Sequence, residues 1–306
     1  MEEGTKNIVY VPKASILVVD DNDMNRVVAK NLLKQNGIVP DLAESGEEAI
    51  EKIKAIKYDI VFLDHMMPKM DGIETFKKLQ KENLIGEGTT VIALTANAIS
   101  GSREKYLALG FDDYMSKPID SKELESKLEQ YIPKDLLSVK EETIDTEKKE
   151  DKKENDTFVS PVNNNAHKEA PVVPEHTENS IEFDNPSDVI ESIRQLGVGV
   201  GAGLYYCGSD ENFYLNLLCD YANGFDKNSG EISKLLDDKN WEEYTIKIHE
   251  LKSMSRTIGA QKLYNDAGIL EDAAKEGDEA AVKINHILFI EDYRTLTERM
   301  RRVLDL

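Results

Sequence analysis

Five short apolar runs, often β-branched, alternate with amphipathic segments over about residues 13–134, and this alternation restricts the possible folds more than any other feature. Strands are predicted at Ser15–Asp20, Val39–Leu42, Asp59–Asp64, Thr90–Thr95 and Asp113–Ser116. Helical spacing begins near Met24, Gly46, Gly72, Ile99 and Ser121, with capping-box patterns at Ser45-x-x-Glu48 and Asp120-x-x-Glu123. Five strand–helix repeats predict a parallel sheet with helices on both faces, because strands buried on both sides are apolar throughout.

The chain has 306 residues, enough for two domains of ordinary size. Between about residues 140 and 180 the composition changes to charged residues, Asn and Pro, with too little apolar surface to offset the cost of ordering the chain. We therefore predict a first domain over residues 13–134, a flexible acidic and polar linker over residues 135–184, and a second domain over residues 185–306.

Charge and cysteine content exclude several classes of function. The formal net charge of −21 repels phosphate backbones, so we predict no nucleic-acid partner. No apolar run approaches the roughly 18 residues of a membrane-spanning helix, which predicts a soluble, cytoplasmic protein without direct membrane insertion. The two cysteines, Cys207 and Cys219, are too few and too far apart for a disulfide framework or a zinc site, and are predicted to be packing residues in a reducing compartment.

Polar residues stand at the carboxyl ends of the predicted strands, where ligands bind in such sheets. Asp20 and Asp21 follow the first strand, Asp64 ends the third, Thr95 ends the fourth, and Lys117 follows the fifth. Three carboxylates gathered at one edge require a positive partner, and Mg²⁺ prefers oxygen ligands. The pattern predicts a magnesium site beside Asp64, which could act as the nucleophile of a phosphoryl transfer, with Lys117 stabilising the phosphoryl oxygens.

The first domain resembles a response-regulator receiver domain over essentially all of residues 13–134. The matching motifs are Val18-Val-Asp-Asp-Asn22, Asp64-His-Met-Met-Pro-Lys-Met-Asp-Gly72, Ala93-Leu-Thr-Ala96 and Lys117-Pro118. The resemblance implies a flavodoxin-like (βα)5 fold with strand order 2-1-3-4-5, phosphorylation of Asp64, and a receiver that promotes its own phosphorylation and dephosphorylation.

The same resemblance assigns the remaining site residues of this domain. It implies that Asp20, Asp21, Asp64 and the backbone carbonyl of Met66 hold Mg²⁺. It also implies that Thr95 and Tyr114 form a switch pair that responds to phosphorylation.

After residue 185 the apolar pattern is helical throughout, which predicts an all-α antiparallel bundle. Helices are expected near Asp210–Asn223, Asn228–Leu236, Asn240–Ile258, Ala260–Lys275 and Asp278–Leu304. The helix from 240 to 258 carries a buried apolar stripe and, beside it, a polar stripe of His249, Lys252, Ser253 and Arg256. This spacing predicts that His249 is exposed at the edge of the bundle, with two cations beside it that can meet a phosphoryl group.

This second domain resembles a histidine phosphotransfer (HPt) four-helix bundle over about residues 190–306, through His249-Glu-Leu-Lys-Ser-Met-Ser-Arg-Thr-Ile-Gly-Ala260. The resemblance implies that His249 accepts and donates phosphoryl groups and that Lys252 stabilises them. Ser253 departs from the family, which usually has Gly at this position. Its hydroxyl adds bulk against an incoming receiver or forms a hydrogen bond to the phosphoryl group.

Together the two resemblances predict a two-component phosphorelay protein, with a sensor histidine kinase and downstream receiver or HPt proteins as partners. The sequence contains no recognisable ATP-binding kinase core, so we predict a phosphotransfer signalling protein and not a kinase. The lead-in at residues 7–12 is like the linkers that precede receivers in hybrid sensor kinases, so the chain is alternatively the detached C-terminal part of one. A non-catalytic receiver-like scaffold that sequesters partners is a further alternative.

Other candidate motifs in the sequence lack residues or a setting that they require. A phosphatase with Asp21 as nucleophile requires Thr where Asn25 stands, and a calcium loop beginning at Asp21 requires Gly where Arg26 stands. The glycines of residues 197–203 follow a helical pattern and no strand, so they predict a flexible connector and not a nucleotide-binding loop. The remaining histidines lack a comparable setting: His65, His167, His176 and His286.

Overall fold

The structure is a computed structural model that describes residues 5–86, 88–95, 102–143 and 181–306. Five parallel strands form its central sheet: β2 (Ile16–Val19), β3 (Asp41–Ala43), β4 (Ile60–Asp64), β5 (Thr90–Thr95) and β6 (Asp113–Ser116). They lie in the order β3-β2-β4-β5-β6, which confirms the predicted flavodoxin-like order 2-1-3-4-5.

Five helices cover this sheet: α1 (Asp23–Gln35), α2 (Gly46–Ala55), α3 (Gly72–Lys81), α4 (Ser102–Ala108) and α5 (Ser121–Tyr131). Successive side chains of a strand point to opposite faces, and in β4 Ile60 and Phe62 pack with α1 and α5 while Val61 and Leu63 pack with α2, α3 and α4. The sheet is therefore covered on both faces, as its apolar strands predict. The expected fourth-helix start near Ile99 lies outside the described residues.

Both predicted capping patterns form side-chain N-caps, at the starts of α2 and α5. The Ser45 hydroxyl accepts a hydrogen bond from the Glu48 amide (3.2 Å), and the Asp120 carboxylate accepts one from the Glu123 amide (2.8 Å). These bonds satisfy amides that have no partner within the first helical turn. The second and fifth helices consequently begin where the sequence predicts.

The second predicted strand, at Val39–Leu42, was placed too early. Val39 is 83% exposed, and pairing with β2 begins only at Asp41. Pro40 has no N–H to donate to a neighbouring strand, so the ladder starts after it.

A small antiparallel sheet lies outside the predicted fold. Strand β1 (Thr5–Tyr10) pairs with β7 (Ser138–Thr143), with Tyr10 opposite Ser138 and Thr5 opposite Thr143. The prediction of a linker from residue 135 was therefore wrong for Ser138–Thr143, whose polar sequence has no apolar alternation to indicate a strand. Residues 144–180 of the predicted linker lie outside the described residues.

The C-terminal part of the chain, residues 186–304, is helical and is called the helical region below. Its helices are α6 (Pro186–Arg194), α7 (Val200–Tyr206), α8 (Glu211–Asn223), α9 (Phe225–Asp237), α10 (Trp241–Thr257), α11 (Gln261–Glu276) and α12 (Glu279–Leu304). Helix α10 packs against α9 and α11, and α12 packs against α8 and α11. No helix in the described part of the chain combines the length and apolar character that crossing a bilayer requires.

The glycine-rich segment at residues 197–203 is only partly a connector, because α7 begins at Val200. Its role is a close backbone approach to the end of α10. The Gly199 amide donates to the Gly259 carbonyl (2.8 Å), and a Cβ on Gly259 would lie 2.4 Å from the Gly199 carbonyl oxygen. Gly259 also has φ +83°, so this position requires glycine for both space and conformation.

Candidate functional site

Three carboxylates meet at the carboxyl edge of the central sheet. Each of Asp20, Asp21 and Asp64 offers an oxygen that lies within 4.8 Å of the others. The Lys117 ammonium donates to Asp64 Oδ2 at 2.7 Å and to Asp20 Oδ2 at 2.9 Å, and all three of these side chains are buried. The structure thus brings together the four charged residues that the strand ends predict.

The start of α1 holds Asp20 in place. The Asn22 amide donates to Asp20 Oδ1 (2.9 Å), and the Asn25 side-chain amide donates to both Asp20 oxygens (3.0 and 3.2 Å). The Arg26 guanidinium donates to the Asp20 carbonyl (2.5 Å). Because these partners all lie on the first turns of one helix, the Asp20 carboxylate has a fixed orientation.

Burial and neighbouring charges shift the pKa values of these buried groups. Burial, followed by the charges of Glu250, Asp20 and Asp64, raises the pKa of Asp21 to about 9. Burial likewise raises the pKa of Asp64 to about 7, against the opposing effect of Lys117. Burial would lower the pKa of Lys117, but the two neighbouring carboxylates outweigh it and hold that pKa well above its usual range.

These residues fit a divalent cation. Asp21 Oδ2 is buried and has no hydrogen-bond partner in the described part of the chain, although buried carboxylate oxygens normally have one. An oxygen-preferring ion such as Mg²⁺ would satisfy that atom and relieve the repulsion among the carboxylates. Near Asp64, the Met66 amide donates to Asp64 Oδ1 (3.4 Å), so the main chain of the predicted carbonyl ligand folds back over this carboxylate.

Saturating Mg²⁺ is expected to stabilise the chain by about 2–3 kcal/mol, the linkage value at roughly 100 times the dissociation constant. Asp21→Asn should remove most of this gain while stabilising the metal-free chain, because it removes a buried carboxylate oxygen without a partner. Chemical unfolding with and without Mg²⁺ measures both effects. Asp23→Asn is the matched control, since that exposed carboxylate pairs with Arg26 and is not one of the three clustered carboxylates. Equal Mg²⁺ stabilisation in wild type and Asp21→Asn would contradict this assignment.

The predicted switch residues, Thr95 and Tyr114, lie beside an aromatic residue of α4, Tyr106. Thr95 is buried at the end of β5, and Tyr114 lies half-buried on β6. Tyr106 of α4 stacks on Tyr114 (ring centroids 6.5 Å apart, 10° between planes) and meets His65 edge-on (5.5 Å, 77°). Tyr106 therefore links the residue after Asp64 to Tyr114, a contact that sequence analysis did not predict.

His249 lies on α10 and is buried, 6% exposed, so the prediction of an exposed histidine was wrong. Its Nδ1 is 2.9 Å from Glu271 Oε1 on α11. Burial lowers the pKa of His249, and the charge of Lys117 on the α/β sheet adds to this effect against the opposing Glu271. The pattern of one helix could not show that a neighbouring helix and the sheet edge both cover the polar stripe.

Glu271 is a candidate site residue that sequence analysis missed. It is 1% exposed, and its carboxylate also accepts hydrogen bonds from Lys252 (2.8 Å) and Lys275. Burial would raise the pKa of Glu271, but the bonds from His249, Lys252 and Lys275 outweigh it and hold that pKa well below its usual range. A single acid on the apolar face of α11, beside Ala267, Leu270 and Ala274, was the signal in the sequence.

The polar stripe of α10 faces the carboxylate edge of the sheet. Ser253 Oγ donates to Asn25 Oδ1 (3.4 Å), and the Arg256 guanidinium donates to the Lys117 carbonyl (3.2 Å). Further along the contact, the Tyr205 hydroxyl bonds to Asp120. The structure therefore places the imidazole of His249 on the side of α10 that meets the Asp64 and Lys117 cluster.

Two other histidines, His286 and His65, pack against neighbouring side chains and lie outside the polar stripe of α10. The His286 ring contacts the Tyr244 hydroxyl (3.1 Å) and the Ser233 hydroxyl (3.2 Å), so both nitrogens have partners within the helical region. His65 packs on Tyr106, and its Nδ1 is buried without a partner in the described residues. His167 and His176 lie outside the described residues.

Comparison with known proteins identifies relatives for the first part of the chain. A family model described as "Response regulator receiver domain" matches residues 16–129. "Probable histidine kinase 1" of Oryza sativa subsp. indica is 35% identical over 151 residues, which cover 40% of this chain and 16% of that protein. "Signal transduction histidine-protein kinase BarA" of Escherichia coli strain K12 is 36% identical over 122 residues, which cover 39% of this chain and 13% of that protein. The chain thus spans less than a fifth of the length of either relative.

One solved structure with detectable similarity is the receiver domain of sensor histidine kinase PA1611 from Pseudomonas aeruginosa PAO1, with a magnesium ion coordinated in its active site cleft. It is 32% identical, and the match covers 39% of this chain and 97% of that chain, with a TM-score of 0.35.

Proposed function

We propose that this chain, whose residues 16–129 are a response regulator receiver domain homologous to those of hybrid histidine kinases, is a phosphorelay protein. In this proposal Asp64 accepts a phosphoryl group from a histidine kinase and exchanges it with His249. The observation that carries the proposal is the contact of α10 with the carboxylate edge, where Arg256 and Ser253 meet Lys117 and Asn25. This contact supports transfer between the two candidate phosphoacceptor residues within one chain.

The first step is acceptance by Asp64. An Asp64 carboxylate oxygen attacks the phosphorus of a donor phosphohistidine; the P–O bond forms, the P–N bond breaks, and its electron pair returns to the donor imidazole. Lys117, which already donates to Asp64, remains paired with the carboxylate and with the phosphoryl oxygens as negative charge shifts onto them. Asp20, Asp21, Asp64 and the Met66 carbonyl would hold Mg²⁺, which supplies positive charge against the phosphoryl oxygens when bound.

The second step is attack by His249 on phosphorylated Asp64. Because Glu271 is ionised, it accepts a hydrogen bond from His249 Nδ1–H, which leaves the Nε2 lone pair free. Nε2 attacks the phosphorus, the P–N bond forms, and the electron pair of the breaking P–O bond returns to the Asp64 carboxylate. The imidazole gains positive charge in this step, and the adjacent Glu271 carboxylate stabilises it.

The two cations predicted beside His249 have different partners and different roles in this scheme. Lys252 is bonded to Glu271 and thereby fixes the carboxylate that orients His249. Arg256 bonds to the main chain of Lys117 and holds α10 on the sheet edge. Thr95 and Tyr114, with Tyr106 between His65 and Tyr114, would change arrangement on phosphorylation and alter the surface around β5 and β6.

Domain limits, compartment and partners complete the proposal. Residues 13–134 would form the receiver and residues 185–306 an HPt bundle, joined by a linker that begins after β7, in a cytoplasmic signalling protein without ATP-dependent kinase activity. Its partners would be a sensor histidine kinase and further receiver or HPt proteins. Treatment with a small phosphodonor and Mg²⁺ tests the proposal: phosphoryl groups on both Asp64 and His249 support it, and the absence of any adduct would leave only a scaffold.

Glu271→Gln is expected to slow phosphorylation of His249 on the order of 10²-fold, because a neutral amide neither fixes the tautomer as firmly nor stabilises the cationic imidazole. Acceptance by Asp64 should be unchanged. The rates are measured by the appearance of acid-labile, base-stable phosphate after loading of Asp64. Glu276→Gln, which removes an exposed carboxylate from the same helix, should behave as wild type. A wild-type rate in Glu271→Gln would exclude a positioning role for this carboxylate.

A further inference from the structure

Ser253 lies one turn beyond His249 on α10, at a position where the resembled family usually has glycine. Its side chain is buried, 3% exposed, and its hydroxyl donates to Asn25 Oδ1 on α1 of the receiver domain (3.4 Å). The two residues are 228 positions apart in the chain. The serine at this position therefore adds bulk where α10 contacts the receiver domain, and it also forms a hydrogen bond across that contact.

The orientation of the Asn25 amide follows from its other partner. Asn25 Nδ2 lies 3.0 and 3.2 Å from the two oxygens of the Asp20 carboxylate, so it must be the donor there. An inverted amide would place two acceptor oxygens against each other, which is repulsive. Asn25 Oδ1 consequently points to α10 and accepts from a donor on that helix.

These contacts set a chemical requirement on the receiver. The residue at this position must donate to Asp20 and at the same time accept from Ser253. A carboxylate of similar length would accept from Ser253 but repel Asp20, and an apolar side chain would do neither. An amide is the group of this length that satisfies both partners.

The contact that Arg256 makes with the receiver domain sets no such requirement on a receiver side chain. Arg256 bonds to the Lys117 carbonyl, a main-chain group that a receiver offers whatever its side chains are. Ser253, in contrast, bonds to the side chain of Asn25, and Asn25 in turn bonds to the Asp20 carboxylate of the candidate metal site. Of these two contacts, only the one from Ser253 can distinguish one receiver from another.

We propose that Ser253 and Asn25 are a docking pair that makes α10 select receivers with a side-chain amide at this position, including the receiver of its own chain. The transfer preference rests on the proposed function, whereas the docking contact does not. The selected partner is defined by chemistry: an amide that lies between the serine hydroxyl and a buried carboxylate.

Docking is tested first without any phosphoryl group. In the full chain, the side-chain amide protons of Asn25 should shift in the NMR spectrum of Ser253→Ala and of Ser253→Gly, while Ser253→Thr, which keeps the hydroxyl, should retain most of the wild-type position. Ser229→Ala, which removes a hydroxyl from α9 that bonds within its own helix, is the matched control. Unchanged Asn25 resonances in Ser253→Ala would overturn the docking pair, even if phosphotransfer proves real.

Selectivity is then tested between chains. A donor chain with Asp64→Asn is loaded on His249 with phosphoramidate and mixed with an acceptor chain carrying His249→Gln. Adding Ser253→Ala to the donor should slow transfer about fivefold, the effect of losing one neutral hydrogen bond. The same change should have little effect when the acceptor also carries Asn25→Ala, because the partner is already absent.

Two results of this cycle would overturn the proposal. Equal slowing with both acceptors would mean that Ser253 acts without Asn25. Faster transfer by Ser253→Gly would mean that the side chain only obstructs the partner. If no transfer occurs between any pair of chains, the selectivity claim fails. The NMR measurement still decides whether the docking pair exists, and transfer from Asp64 to His249 within one chain still decides the proposed function.

Discussion

Asp64→Asn is expected to abolish phosphoryl acceptance by the receiver domain, with a loss of at least about 10³-fold in rate. Asparagine preserves the shape of the side chain and can still accept a hydrogen bond from Lys117, but its amide is not a nucleophile for phosphorus. The measurement is formation of an acid-stable, base-labile adduct from a small phosphodonor or a phosphorylated kinase in the presence of Mg²⁺.

Asp59→Asn provides the control for that substitution. Asp59 precedes the same strand, β4, at its opposite end, where its carboxylate accepts a hydrogen bond from the Ser15 amide (2.8 Å) that an asparagine oxygen can replace. This variant should accept phosphoryl groups at the wild-type rate. An adduct that persists in Asp64→Asn would assign acceptance to another residue and remove the basis of the mechanism.

His249→Gln is expected to leave acceptance at Asp64 intact and to stop onward transfer, again by at least about 10³-fold. Phosphorylated Asp64 should accumulate, because the group that removes its phosphoryl within the chain is absent. Glutamine retains a polar side chain toward Glu271 but has no nitrogen lone pair for attack on phosphorus. The measurement is the ratio of base-labile to acid-labile phosphate on the chain over time.

The matched control is His286→Gln, since His286 is also 6% exposed and lies in the same helical region. Its ring contacts two hydroxyl groups of the helical region, so its loss should affect stability and not transfer. If His286→Gln blocked transfer while His249→Gln did not, the assignment of the phosphoacceptor would be reversed.

Parallel topology explains why so much of the receiver site could be predicted from the sequence. Carboxyl ends of neighbouring parallel strands must meet at one edge, so Asp20 and Asp64 come together in any register that keeps the strands buried. The sequence motif also places Lys117 after the fifth strand, and the structure pairs its ammonium with both carboxylates. Their proximity could therefore be predicted without any information on side-chain packing.

The contacts missed by sequence analysis depend on packing between elements. Glu271 reaches His249 only because α11 lies against α10. Its position on the apolar face of α11 indicates burial, but the pattern of one helix does not show which residue the carboxylate meets. The Ser253 to Asn25 bond depends on how the helical region meets the sheet, which no periodicity within α10 encodes. Strand β7 was missed because its partner β1 lies at the other end of the receiver region.

The burial of His249 changes how the relay must operate. In the structure, the His249 imidazole is 6% exposed and Asp64 is 1% exposed, and the helix that carries His249 contacts the receiver domain through Ser253 and Arg256. In the proposed relay, the buried His249 would become accessible to an external receiver only after this contact opens. The closed arrangement is therefore suited to transfer within the chain, where the effective concentration of one site for the other is high.

The most direct test of this account is the dependence of transfer from Asp64 to His249 on chain concentration. The chain is loaded on Asp64 in a rapid pulse, and the appearance of acid-labile phosphohistidine is followed over a roughly hundredfold range of dilution. Transfer within one chain predicts a single first-order rate that does not change on dilution. A rate that falls in proportion to concentration, or a phosphorylated Asp64 that decays without any phosphohistidine, would contradict the account.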